Sequence, residues 1–231
     1  MKVSAHGEYL VQLTRFGMMN CFLVRGEDGL TLIDTLMPGQ ASGILNAARE
    51  LDAPIVRAGI THAHPDHLGS LDALVEQLPS VEVGISARET RLIDGDFSPQ
   101  PGEPDAKPCG ISTNLKSRPA HLLHDGDRFG PLEVVATPGH TPGHIAFYDR
   151  RDGTLIVGDA LQTAGGITVV GWPRLIFPIP SMATWHRLTA LESARRMCAL
   201  NPSRIAAGHG PVVENPNDAL DRAIDRASRR A

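Results

Sequence analysis

Short apolar runs bounded by glycine, proline and polar residues recur along the whole chain. Runs of this length and spacing are typical of β-strands, and many of them are followed directly by glycine. "NCFLVR", "LTLIDT" and "LEVVAT" are examples. The pattern predicts strands at residues 9–14, 20–25, 30–35, 55–60, 81–86, 132–137, 144–149, 154–158 and 204–207.

Helical periodicity appears in three other segments. Residues 67–78 place leucines and a valine on one face, and residues 188–198 repeat the pattern with leucine, alanine and cysteine. The third segment, "NPNDALDRAIDRASRR", ends in arginines that suit the carboxyl end of a helix. The chain therefore predicts layered α/β structure, with residues 94–119 and 162–181 left as long loops of functional interest.

Composition and charge narrow the class of protein. The 231 residues are 42% hydrophobic and 21% charged, which is typical of a globular chain, and we expect one domain over residues 1–231. A net charge of -4 without a basic stripe predicts no nucleic-acid partner. No segment reaches the about 18 apolar residues of a membrane span, and no signal peptide is evident, so we expect no membrane partner and a cytoplasmic location.

The three cysteines are far apart in the sequence and form no CxxC pair. They predict neither a disulfide framework nor a thiolate zinc site. Cys21 and Cys198 lie in apolar runs and are core candidates, whereas Cys109 lies in a Pro/Gly-rich loop and is expected to be more exposed.

The stretch "THAHPDHLGS" gathers three histidines and an aspartate after a predicted strand. His62 and His64 can converge on one point, while Asp66 and His67 at the start of a helix can face a second point. Imidazole and carboxylate are ligands suited to zinc, iron or manganese. Taken alone, such a turn is more often polar surface, with Asp66 as a helix cap.

Three later residues favour a metal site over ordinary polar surface. His140 in "TPGHTPGH", Asp159 in "VGDA" and His209 in "AGHGP" each follow a strand-like run, and each has glycine or proline beside it. If these strands share a direction, their ends bring all the ligand-type side chains to one edge of the sheet. The set includes a carboxylate able to bridge two metals about 3.5–4 Å apart.

Together these residues resemble the metallo-β-lactamase-fold hydrolases. "HAHPDH" matches the HxHxDH motif of that superfamily, the later His, Asp and His match in order, and Asp34 in "LIDT" is similar to its early aspartate. The resemblance implies a four-layer αββα sandwich with a dinuclear metal site. It assigns His62, His64 and His140 to the first metal, Asp66, His67 and His209 to the second, and Asp159 to both.

The resemblance also implies roles for nearby residues. Asp34 would orient a ligand histidine. His144 is expected to have a structural or orienting role, with substrate contact as the alternative. Asp66 and Asp159 are the predicted catalytic carboxylates, acting as metal ligands. Zinc is the favoured cofactor, as two divalent ions, with iron and manganese as alternatives. Trp172 and Phe177 either form an apolar wall over the metals or simply pack beneath a loop.

Two cations that share a water lower its pKa, so a bridging hydroxide can attack a carbonyl carbon. The predicted function is hydrolysis of a small-molecule ester, lactone or thioester. Alternatives are a mononuclear iron oxidoreductase similar to persulfide dioxygenases, a lactonase or β-lactamase-like side activity, and a non-catalytic metal-binding protein. Metal content and oxygen uptake distinguish the oxidoreductase from the hydrolase.

Features of the chain rank the subclasses. Glyoxalase II-like thioesterases usually carry a long helical extension, whereas only about one helix is expected after His209, which disfavours them. Quorum-quenching lactonases place a tyrosine after the bridging aspartate, and this chain has only Tyr9 and Tyr148. True β-lactamases lack the bridging aspartate, and nuclease branches are disfavoured by the acidic charge balance.

Overall fold

Two β-sheets pack face to face with helices on both outer surfaces. This computed structural model describes residues 1–172 and 178–231. The layers run helix, sheet, sheet, helix, which confirms the predicted αββα sandwich.

The first sheet has seven strands in sequence order. Its first four strands pair antiparallel, and the remaining pairs are parallel. The parallel strands end at the same edge of the sheet, so the loops that follow them lie side by side. The strands are β1 (Lys2–His6), β2 (Leu10–Arg15), β3 (Met19–Arg25), β4 (Leu30–Ile33), β5 (Ile55–Ile60), β6 (Glu82–Ser86) and β7 (His121–Leu123).

The second half of the chain contributes the other strands. They are β8 (Arg128–Phe129), β9 (Leu132–Ala136), β10 (Ile145–Asp149), β11 (Thr154–Gly158), β12 (Leu161–Gln162), β13 (Thr168–Val169), β14 (Arg204–Ala207) and β15 (Val213–Glu214). Six form the second sheet in the order β15-β14-β11-β10-β9-β8, while β12 and β13 pair separately. Because β11 and β14 are parallel, their carboxyl ends also meet at one edge.

The helices are α1 (Ala41–Glu50), α2 (Pro65–Leu68), α3 (Leu71–Gln77), α4 (Ala87–Ile93), α5 (Ile179–Met182), α6 (Arg187–Ala199) and α7 (Asn217–Ser228). Helices α1 and α3 cover the outer face of the first sheet, and α6 and α7 cover that of the second. The His186 side chain caps α6 by accepting the Thr189 N–H at 3.3 Å. Within the described ranges, no helix combines the length and apolar character that crossing a membrane requires.

Alternating side chains build the separate layers of the core. Phe22 and Phe147 point between the sheets, while their neighbours Leu23 and Ala146 point outward under the helices. Gly59 on β5 allows close contact across the sandwich, since a Cβ there would lie 2.8 Å from Phe147 Cζ. The two sheets are therefore packed tightly along the strand that leads to the histidine-rich turn.

All nine predicted strands are present, with ends within two residues of the prediction. The single helix predicted over residues 67–78 is wrong, because α2 and α3 are separated at Gly69 and Ser70. A Cβ at Gly69 would lie 2.5 Å from Pro38 Cδ, and Ser70 Oγ donates to the Met37 carbonyl at 2.6 Å. Packing against this neighbouring segment breaks the periodic pattern.

The two segments left as loops differ in the structure. Residues 94–119 form neither helix nor strand. The segment 162–181 contains the end of β12, then β13 and the start of α5. Strand β1, the strands of two or three residues and the helices α1, α4 and α5 were not predicted.

Candidate metal centre

The seven predicted ligands meet at one edge of the sandwich, although they come from separate parts of the chain. Each lies in a loop or helix start next to the end of a strand, where the backbone leaves the sheet. His62 and His64 follow β5, Asp66 and His67 belong to α2, His140 lies between β9 and β10, Asp159 follows β11, and His209 follows β14. The structure therefore brings the whole predicted set together.

Three histidines form the first group. The Nδ1 atom of His64 lies 3.0 Å from His62 Nε2 and 3.0 Å from His140 Nε2. All three side chains are buried. Burial lowers the pKa of His62 and His140 well below the usual histidine value, and neighbouring histidines act in the same direction. The rings are therefore neutral, which is the form that binds metals.

Hydrogen bonds on the outer ring nitrogens orient these histidines. His62 Nδ1 donates to Thr61 Oγ1 at 3.0 Å, and His64 Nε2 donates to the Cys109 carbonyl at 2.8 Å. His140 Nδ1 lies 3.3 Å from the Thr184 hydroxyl, which itself donates to a backbone carbonyl. These partners assign the proton to the outer nitrogen of each ring. Each inner nitrogen therefore directs a lone pair toward the other two.

The second group consists of Asp66, His67 and His209, and the Asp159 carboxylate lies beside it. His209 Nε2 lies 3.2 Å from Asp66 Oδ2 and 3.2 Å from Asp159 Oδ2, and His67 Nε2 lies 3.9 Å from Asp66 Oδ2. Burial opposes charge on Asp66, but His67 and His209 lower the pKa of its carboxyl to about 2. The carboxylates therefore stay ionised. The Asp66 side chain is 24% exposed, so it is the ligand-type residue most open to solvent in this group.

Asp159 lies between the two groups. Its Oδ1 is 3.3 Å from His67 Nε2, and its Oδ2 is 3.7 Å from His140 Nε2. Both His67 Nε2 and Asp159 Oδ1 are buried, and within the described residues neither has a hydrogen bond of good geometry beside this ion-pair contact. Buried polar atoms without a hydrogen bond are rare in folded proteins, and a cation between these two would bind both.

Three overlapping sets of possible ligands follow from these positions. In each set the donor atoms all lie within 4.8 Å of one another. Neutral imidazoles with ionised carboxylates are the donor set that zinc and iron take in proteins. The residues therefore fit divalent metal ions. The sets are His62, His64 and His140; His62, His67 and Asp159; and Asp66, His67 and His209.

Asp34 holds the His67 ring of the second group through its Nδ1 atom. Its buried carboxylate accepts a hydrogen bond from His67 Nδ1 at 2.7 Å, from the Thr61 N–H at 2.8 Å and from the Thr61 hydroxyl. The bond to His67 turns its Nε2 toward the site. Burial opposes charge on this ring, but Asp159 and Asp34 raise the pKa of His67 well above the usual histidine value, so a bound metal ion would displace a proton there. Asp34 therefore holds the His67 ring in place, and its role in orienting a metal ligand stays a prediction.

His144 is buried and uses both ring nitrogens inside the protein. Its Nδ1 lies 2.8 Å from Thr137 Oγ1, and its Nε2 accepts the Asp159 N–H at 3.2 Å. Burial lowers the pKa of His144 to about 3. His144 therefore holds the backbone of Asp159, and both of its ring nitrogens are already within hydrogen-bonding distance of protein atoms.

Sequence reasoning missed several residues around the site, above all Glu89. This buried carboxylate accepts the N–H groups of Ala63 and Gly143, each at 2.8 Å. Burial raises the pKa of the Glu89 carboxyl, while the two N–H groups act against that rise. The pattern S-x-x-E from Ser86 could have predicted a helix cap here. Its contacts with distant loops could not be predicted.

A cleft of about 180 Å³ opens over the ligands. Apart from ligand-type residues, its described lining is small and largely apolar: Pro65, Gly110, Pro180 and Ala183. Two loops meet beside it, since Trp185 Nε1 donates to the Ala106 carbonyl at 2.6 Å. Trp172 packs in the core with residues of α6 and α7 and is not among the described residues that line the cleft. Phe177 lies outside the described residues.

Comparison with known proteins places this site in a family. The family profile described as the metallo-beta-lactamase superfamily matches residues 14–209. The uncharacterized protein YobT of Bacillus subtilis is 41% identical over 222 residues, covering 94% of this chain and 95% of that protein. The probable metallo-hydrolase YflN of the same organism is 31% identical, covering 82% and 78%. A hydroxyacylglutathione hydrolase of Aeromonas hydrophila is 29% identical, covering 90% and 71%.

Solved structures show the same fold. A metallo-beta-lactamase from Pontibacter korlensis superimposes with a TM-score of 0.74 at 18% identity, covering 98% of each chain. The structure of TTHA1623 in a di-iron-bound form gives a TM-score of 0.65 at 27% identity, covering 92% of this chain and 97% of that one. The named relatives support a metal-dependent hydrolase in general terms. By its family match, its fold and its clustered ligands, this chain belongs to the metallo-beta-lactamase superfamily.

Proposed function

We propose that this protein hydrolyses a small-molecule ester, lactone or thioester with two divalent metal ions, zinc being the favoured ion. One observation carries the proposal. The inner nitrogens of His62 and His140 each lie 3.0 Å from the inner nitrogen of His64, while hydrogen bonds on the outer nitrogens place the ring protons there. Three ring nitrogens that face one another with lone pairs and no proton repel each other, and a cation bound between them would remove that repulsion.

The chain offers two neighbouring positions for metal. The three histidines would hold one ion, Asp66, His67 and His209 the other, and Asp159 would contact both. Bound divalent ions lower the pKa of water toward neutrality and polarise a carbonyl oxygen, which is the chemistry needed for hydrolysis.

The surrounding residues prepare the site for this chemistry. Asp34 and Thr61 fix the orientation of the His67 and His62 rings, so little rearrangement is needed when metal binds. The small walls of the cleft, including Pro65 and Ala183, suit a compact acyl group.

Likeness to named relatives supports the substrate class. Hydroxyacylglutathione hydrolases, by their name, cleave an acylglutathione, which is a thioester. A thioester therefore belongs in the substrate panel beside esters and lactones. The di-iron form of TTHA1623 makes iron the second metal to test. The small-molecule partner, the absence of nucleic-acid and membrane partners and the cytoplasmic location stay predictions.

The test is a substrate panel with defined metals. The purified chain, loaded with zinc or with iron, is assayed on an ester, a lactone, a thioester and a phosphodiester. We expect turnover of at least one carbonyl substrate, and we expect His62→Ala and Asp159→Ala to lower both bound metal and turnover. Full activity in either variant would contradict the proposal. Oxygen uptake by an iron-loaded chain that hydrolyses nothing would favour the oxidoreductase instead.

A further inference from the structure

The Glu89 carboxylate joins the two loops that carry the three-histidine group. Oε2 accepts the N–H of Ala63, and Oε1 accepts the N–H of Gly143, both at 2.8 Å. Ala63 separates the two histidines of the turn after β5, and Gly143 lies three residues after His140. One fully buried side chain therefore ties together segments that are about 80 residues apart in the sequence.

Helix α4 and its capping residue Ser86 bind both backbone groups of Gly143, in the loop that carries His140. Ser86 Oγ donates to the Gly143 carbonyl at 2.6 Å, while Glu89 accepts the Gly143 N–H. A Cβ at Gly143 would lie 2.6 Å from Glu89 N and 2.7 Å from Arg88 Cβ. Only glycine allows this approach, so the loop is pressed directly against the first turn of the helix.

The capping of α4 does not itself require the carboxylate. Ser86 Oγ already accepts the Glu89 N–H at 3.1 Å. In a complete capping box, the glutamate would return to the backbone N–H of the capping residue. Here the Glu89 carboxylate turns away to the two ligand-bearing loops. Burying a carboxylate is costly unless hydrogen bonds compensate, and these two N–H groups provide them.

We propose that Glu89 is a positioning residue that sets the spacing of the three-histidine group and therefore its affinity for metal. This inference rests on the proposed function, because it needs a metal at that group. It is selective. His62, His64 and His140 belong to the two joined loops, whereas the group of Asp66, His67 and His209 draws on α2 and the loop after β14.

Glu89→Gln is the sharpest variant, because it keeps the shape of the side chain. Its amide can accept from one of the two N–H groups but presents a donor to the other. Losing such an orienting contact typically lowers metal affinity about 10- to 100-fold. We expect that loss at one of two sites when the full-length chain is titrated with Co²⁺ and followed by its visible absorption.

Asp149→Asn is the matched control. Asp149 is equally buried, but its carboxylate pairs with Arg151 in the turn after β10. We expect both cobalt affinities of this variant to stay within about twofold of the unmodified chain. Glu89→Asp keeps the charge but is one methylene too short to reach both loops, so its affinity should fall between those of the unmodified chain and Glu89→Gln.

A second readout needs no metal. In the ion-free chain, hydrogen exchange at the Ala63 and Gly143 amides should be faster in Glu89→Gln than in Asp149→Asn. Unchanged exchange at both amides, or unchanged cobalt affinities in Glu89→Gln, would overturn the role of Glu89 and leave the proposed function standing. Equal weakening of both cobalt sites would also overturn it, since it indicates a general structural effect. An unmodified chain that binds no cobalt would overturn the proposed function, and this inference with it.

Discussion

Replacing Asp34 by asparagine tests how the second group of ligands is oriented. Asp34 has a φ of +62°, a conformation that asparagine also tolerates, so the backbone can stay in place. The asparagine oxygen can still accept the Thr61 N–H, which now bonds Oδ1 at 2.8 Å. Its NH₂ group would then face His67 Nδ1, where a carboxylate oxygen now lies at 2.7 Å.

The change should reverse the tautomer of His67. A donor opposite Nδ1 favours the ring form that carries its proton on Nε2, the nitrogen that faces Asp66 and Asp159. A hydrogen bond to a charged group contributes about 1.5–3 kcal/mol. At about 1.4 kcal/mol for each factor of ten, the expected loss is about 10- to 100-fold in metal affinity. The loss should fall on the Asp66, His67 and His209 group.

Titration of Asp34→Asn with Zn²⁺ against a chromophoric chelator measures this effect. We expect one of two affinities to fall and the affinity of the three-histidine group to stay within about threefold. Circular dichroism serves as the control for folding. If Asp34→Asn binds both ions as tightly as the unmodified chain, the orienting role of Asp34 is wrong.

Two further predictions concern close packing and thiol reactivity. In Gly208→Ala the new Cβ would lie 2.5 Å from Asp159 Oδ1 and 2.6 Å from His67 Cε1. We therefore expect the metal content, measured by atomic emission, to fall while the fold is retained. Full metal content would contradict this close contact. Burial raises the pKa of the Cys198 thiol to about 11, so iodoacetamide at pH 8 should alkylate the exposed Cys109 first, as peptide mass spectrometry can show. Faster labelling of Cys198 would contradict the assigned environment.

Local patterns in the sequence predicted much of the fold and the set of candidate ligands. A strand such as β5 is visible because a short apolar run ends at a turn, and the turn places His62 and His64 beside each other whatever surrounds them. Helix α1 was missed although its buried residues Ala41, Ile44, Leu45 and Ala48 have helical spacing. That signal was present in the sequence.

Other features depend on contacts between distant segments. The carbonyl that orients His64 belongs to Cys109, in a loop without regular structure. The break between α2 and α3 comes from packing against Pro38. The contacts of Glu89 join loops from both sheets. No local periodicity encodes such partners, because they exist only once the sheets have packed.

Metal analysis of the purified, folded chain shows whether the clustered ligands hold a pair of ions. After incubation with excess Zn²⁺ and removal of unbound ions, elemental mass spectrometry gives the number of ions per chain. We expect two ions per unmodified chain. A folded chain that retains no zinc, iron or manganese above the buffer background would contradict this expectation.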